Sequence, residues 1–143
     1  MKHSTFKALG LAVALSGPLF LASLAVAAEA VEKTAIPETA DAILQAIDAK
    51  SAELKKTIDS GSLDAVHHQA FAIRDLVAAL PAKSASLPAD KLAKVKSNVK
   101  FVATLAERLD ATGDAKDVTG TKMNYAKLTT VLISIHSNYV PAR

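Results

Sequence analysis

Between Pro37 and Val140 the apolar residues recur at intervals of three and four, and nowhere in that stretch do apolar and polar positions alternate as a strand requires. The pattern predicts four amphipathic helices. The first starts near Pro37, which suits the first helical position, and turns Ile43, Ile47, Leu54 and Ile58 to one side until Gly61 stops it. Ser62 is placed to cap a second helix, with Asp64 in the first turn, where the helix dipole favours negative charge. Leu63, Val66, Ala70, Ile73, Val77 and Leu80 form its seam, and Pro81 ends it. After the connection Ala82 to Leu87, a third helix from about Pro88 repeats the spacing in Leu92, Val95, Val99, Val102, Ala106 and Leu109. Gly113 is the expected left-handed residue after its end. A fourth helix begins between Val118 and Thr121 and carries Tyr125, Leu128, Leu132, Ile135 and Tyr139 before Pro141 closes it.

Each stripe is too wide to be hidden by one neighbour, and the connections are short. The economical arrangement is an all-α, antiparallel up-down-up-down four-helix bundle over residues 37–143. What precedes it has another character. Lys2, His3 and Lys7 stand before an uncharged run from Ala8 to Ala28, and Ala25-Val26-Ala27 offers small residues for a peptidase cut. Residues 1–27 therefore predict a secretory signal peptide, and residues 28–36 a short linker. A retained anchor is the competing reading of the apolar run, and the helix-breaking Gly17-Pro18 pair favours cleavage. The expected compartment is the periplasm, with membrane contact only during export.

Removing the leader changes the charge. Of 17 Lys and Arg residues, Lys2 and Lys7 leave with it, so 15 remain against 14 acidic ones, and the near-neutral remainder argues against nucleic acid as a partner. Phe71, Phe101, Tyr125 and Tyr139 are the aromatic residues left, too few for a base-stacking surface. The chain has no cysteine, which excludes disulfides and a lipid-modified Cys anchor, so the domain is held by its core alone. The sequence lacks a G-x-S-x-G elbow, a phosphate-cradling glycine loop and an H-E-x-x-H pair, and no Glu stands three residues before a His as di-metal carboxylate bundles require. An enzyme is not expected.

Chemistry concentrates in three histidines. His67 flanks the second seam on the side of Phe71, and His68 points about 100° further round, so adjacent imidazoles diverge. The bland reading is one boundary and one solvated histidine. The functional reading is a Cu or Zn site formed by His67 and His68 with Asp110 and Met123, since the topology brings Asp59, Asp110, Asp114 and Met123 to the same end. Met123 shares a face with Lys127, Thr130 and Ser134, which points it to solvent, and its soft sulfur is its attraction as a ligand. Binding there should weaken as acid protonates the imidazoles. His136 belongs near the opposite end, roughly 20 Å from His67 along the axis, so one ion cannot collect all three histidines.

The ending His136-Ser137-Asn138-Tyr139, with the mature length and the four-helix reading, resembles the small soluble b-type cytochromes of the bacterial periplasm. That resemblance implies haem b held by His136 on the last helix and a Met on the first. The first helix carries Ile47 and Asp48 at the corresponding turn and no Met, and no C-x-x-C-H motif for covalent haem occurs. The run His67-His68-Gln69-Ala70-Phe71 is in turn similar to small exported proteins that accompany metal-efflux systems. The sequence thus supports a metal-binding envelope accessory, then a haem binder using His136, then an interaction module that docks an envelope protein or a second copy.

Overall fold

The computed structural model describes residues 33–140. The leader, its cut site and Pro141 lie outside the described residues. Four α-helices account for most of them: α1 spans Ala40–Asp59, α2 Val66–Ala79, α3 Ala89–Asp114 and α4 Val118–Ser137. No strand occurs among the described residues. No helix there is long and apolar enough to cross a membrane.

The helix ends follow from local chemistry. α1 starts at Ala40 rather than at Pro37 because Thr39 Oγ1 accepts the Ala42 amide at 3.2 Å, with Asp41 in the first turn. It ends in a Schellman reversal. Gly61 takes φ 77°, the Ser62 amide reaches Thr57 O and the Gly61 amide Ile58 O. Ser62 does not cap α2, since its Oγ accepts from Ser60 Oγ at 3.1 Å; a 3-10 turn, Leu63–Ala65, leads into α2 instead. Pro81 does not cut the chain at once either. It sits in a second 3-10 turn, Leu80–Lys83, a geometry whose early positions tolerate a missing N–H.

The end of α3 departs from expectation in an informative way. Gly113 is not the residue after the helix but part of its buried last turn, where a Cβ would lie 3.2 Å from Leu63 O and 3.3 Å from Val66 Cβ. Glycine is there to let the start of α2 approach. The left-handed residue is Lys116, φ 54°, and the amides of Lys116 and Asp117 close a second Schellman reversal on Gly113 O and Thr112 O. Asp117 then caps α4 by accepting the Gly120 amide at 2.9 Å.

The predicted stripes are the core. Ile43, Ile47, Leu54 and Ile58 from α1, Val66, Ala70, Ile73 and Val77 from α2, Val95, Val102, Ala106 and Leu109 from α3, and Leu128, Leu132 and Ile135 from α4 are all buried. Leu92 and Val99 are only partly so. α1 packs on α2 and α4, and α3 packs on α2 and α4, so every helix has two neighbours. The first turns of α4 face inward with polar side chains. Thr121 and Asn124 are buried, satisfied by Thr121 Oγ1 donating to Asp117 O at 2.7 Å and Asn124 Nδ2 to Arg108 O at 3.3 Å. Asn98 Nδ2 to Ser134 Oγ, 3.1 Å, ties the same two helices further along.

Candidate functional site

The second helix carries its chemistry on one stripe. His67, Phe71 and Arg74 are spaced four and three apart and stack along α2. The His67 ring meets Phe71 edge-on at 4.7 Å between centres, and the Arg74 guanidinium lies 4.3 Å over the other part of the stack, the Phe71 ring. Arg74 Nη2 also pairs with Asp75 Oδ1 at 2.8 Å.

Across from this stripe, α3 brings Asp110. Its Oδ1 lies 2.7 Å from His67 Nδ1, and because a carboxylate can only accept, the imidazole holds its proton on Nδ1 and donates it. That leaves Nε2 with a free lone pair in the neutral ring. His68, more exposed, has its ring centre 5.1 Å from that of His67 at an interplanar angle of 82°.

Beside the histidines runs a groove of about 630 Å³. It exists because α1 offers methyl groups at Ala46 and Ala49, where larger side chains would close it, and α2 adds Ala72. The segment Lys33, Thr34 and Ala35 runs along one side. Phe71 and Leu76 add apolar surface, while Lys33, Lys50 and Arg74 stand on the lining against one carboxylate, Asp75. Gln69 Oε1, on the same lining, is buried without a hydrogen-bond partner. The sequence pattern does not single out Lys50 or Arg74; the signal for the groove is the set of alanines, small residues three apart on α1, which periodicity counts as ordinary.

The other named residues fall elsewhere. Met123 is 52% exposed on α4 and takes no part in the groove. Asp59 pairs with Lys55 on α1 at 2.5 Å, and that lysine holds its carboxyl below the usual range, mainly by hydrogen bonding. Asp114 is exposed at the end of α3. No group of three His, Asp or Glu placed to hold one ion occurs among the described residues.

His136 is part of neither the stripe nor the groove. Its Nε2 is 3.0 Å from Asp48 Oδ1 on α1, close enough for an ion pair but in an orientation that makes no hydrogen bond, so the buried nitrogen lacks a partner. At the turn of α1 where the cytochrome resemblance would want a Met, Ile47 is fully buried in the core and Asp48 faces His136.

Comparison with protein-family models, with curated proteins and with solved structures gives no match.

Proposed function

We propose that this chain is a non-enzymatic, exported helical-bundle protein of the cell envelope that binds one transition-metal ion, copper or zinc, through His67 and His68. The single observation behind this reading is the hydrogen bond from His67 Nδ1 to Asp110. A metal-binding histidine characteristically gives its other ring proton to a carboxylate, which fixes the tautomer, aims the remaining nitrogen and raises its basicity. Ring separation agrees with it. Two imidazoles on one tetrahedral ion at bond lengths near 2 Å have centres about 5 Å apart, and the pair here stands at 5.1 Å. Asp110 acts in this reading by holding His67.

The antiparallel order belongs to the same proposal. Tyr125 of α4 bonds to Ser51 of α1, whereas His136, later on α4, meets Asp48, earlier on α1. Likewise Asn124 meets Arg108 on α3 and Ser134 meets Asn98. The basic and apolar N-terminal run supports export.

The test is calorimetric titration of the metal-free full chain with Zn(II) and with Cu(II). Saturable one-to-one binding is expected, lost in His67→Ala/His68→Ala and retained in His136→Ala and Met123→Ala. Equal heats from the double variant and the parent would remove the proposal.

A further inference from the structure

Two imidazoles do not complete a metal site. A four-coordinate ion held by His67 and His68 has two positions left, Asp110 is engaged at His67 Nδ1, and no third protein ligand converges there among the described residues. His67 and His68 line a groove of about 630 Å³. That is far more room than water or a bare ion needs and falls within the range of sites for organic ligands.

The lining says what would fit. Phe71, Leu76 and the methyls of Ala46, Ala49 and Ala72 favour a flat or aromatic body over a hydrated one. Lys33, Lys50 and Arg74 stand against Asp75 on the lining and Glu53 beside Lys50, which leaves one net positive charge and favours an anionic occupant. Lys50 reaches Glu53 at 2.7 Å and Arg74 reaches Asp75, both on exposed surface where such pairs exchange partners cheaply.

We infer that the groove receives an anionic aromatic chelator, and that the ion is bound as its chelate: the chelator fills two coordination positions from the groove, and His67 and His68 fill the others. This rests on the metal reading above and names the form in which the metal is taken. By linkage, the factor by which the ion changes the chelator's affinity for the protein equals the factor by which the chelator changes the ion's, and the inference requires that factor to be favourable.

Bipyridine dicarboxylate serves as the probe, with two ring nitrogens to chelate and two carboxylates for the cationic lining. Equilibrium dialysis of the full chain should retain the probe at least ten-fold more with Zn(II) present than without. Ala49→Trp fills the groove from an exposed position on α1, away from both imidazoles. It should abolish retention of the probe while leaving calorimetric Zn(II) binding and the helical circular dichroism unchanged. Lys50→Gln/Arg74→Gln should lower retention without altering Zn(II) affinity, which also covers the case in which the tryptophan variant fails to fold. Zn(II) binding with no zinc-dependent retention of the probe overturns this inference and leaves the metal site standing. Loss of Zn(II) binding itself removes both. Retention indifferent to Ala49→Trp and to the charge variants overturns the groove as its location.

Discussion

His67 and Asp110 lie 43 residues apart on consecutive helices, yet one hydrogen bond between them decides which imidazole nitrogen is free. Removing the acceptor's charge while keeping its shape tests that directly. Asp110→Asn is expected to weaken Zn(II) binding 10–100-fold, as loss of such outer partners typically does, with the melting temperature little changed because the pair is partly exposed. Unaltered affinity would mean that Asp110 does not orient the ligand. Tyr139 carries a different residue-scale effect. Burial pushes its phenol above the ordinary value, opposed in part by the hydrogen bond with Ser84 Oγ at 2.7 Å. The folded state therefore holds the phenolic proton more tightly than the unfolded chain, so this contribution is complete below the ordinary tyrosine range and is lost as pH rises through the folded value. Melting scans in alkaline buffers should show Tyr139→Phe losing less stability with rising pH than the parent. Parallel curves would refute it. The exposed carboxyls of Asp59 and Asp64, held low chiefly by hydrogen bonds from Lys55 and Lys116, act in the opposite sense, with stability present above the ordinary carboxylate range and lost as pH falls through their folded values.

Among the helices, α3 has the least ordinary end. Lys116 occupies a left-handed conformation that costs a side-chain-bearing residue about 1 kcal/mol, and its ammonium pairs with the Asp64 carboxylate on the surface. An exposed pair is worth less than that strain. Lys116→Gly is therefore expected to raise stability by up to about 1 kcal/mol, read from chemical denaturation midpoints; a lower midpoint would show the ion pair to dominate. Gly113 is the converse case. Alanine would gain about 1 kcal/mol of helix propensity, but its Cβ would press on a backbone carbonyl and on the stem of Val66, atoms that no rotamer change can move. Gly113→Ala should destabilise, by about 1–3 kcal/mol, and a stabilised variant would show that the start of α2 can yield. These two positions also mark what the amino-acid order reveals and what it conceals. The stripes of α2 and α3 were legible because burial repeats along a helix with a fixed period. The turn was not, because glycine answers two needs, backbone freedom and lack of bulk, and only the approach of Leu63 and Val66 tells which applies. The groove was illegible for a related reason. Ala46, Ala49 and Ala72 look like helix formers until the space they leave open is seen between elements. Likewise Thr121 and Asn124 occupy inward positions of α4 that a purely apolar pattern cannot recognise.

At the scale of the whole molecule, stability rests on packing, since no disulfide is available. Leu80 is fully buried where the second helix passes into its 3-10 turn, and Leu80→Ala should cost about 2–5 kcal/mol, lowering the thermal midpoint well beyond the effect of any surface pair. A shift of a degree or less would mean that the core is looser than its burial implies. Val102→Asp, which would leave an unpaired carboxylate inside, should prevent cooperative melting altogether. The polar ties between helices are few and discrete. Two of them belong to tyrosines of the last segment, Tyr125 donating to Ser51 O at 3.1 Å and Tyr139 sharing a hydrogen bond with Ser84. The chain contains two tyrosines and no tryptophan, so emission excited at wavelengths that phenylalanine does not absorb arises from these phenols. One is anchored to the first helix and the other to the turn after the second. The fluorescence of the unlabelled protein therefore reports detachment of the C-terminal helix from either anchor. A rapid-mixing experiment can follow that event with no dye attached, and a single Tyr→Phe change selects which of the two anchors is observed.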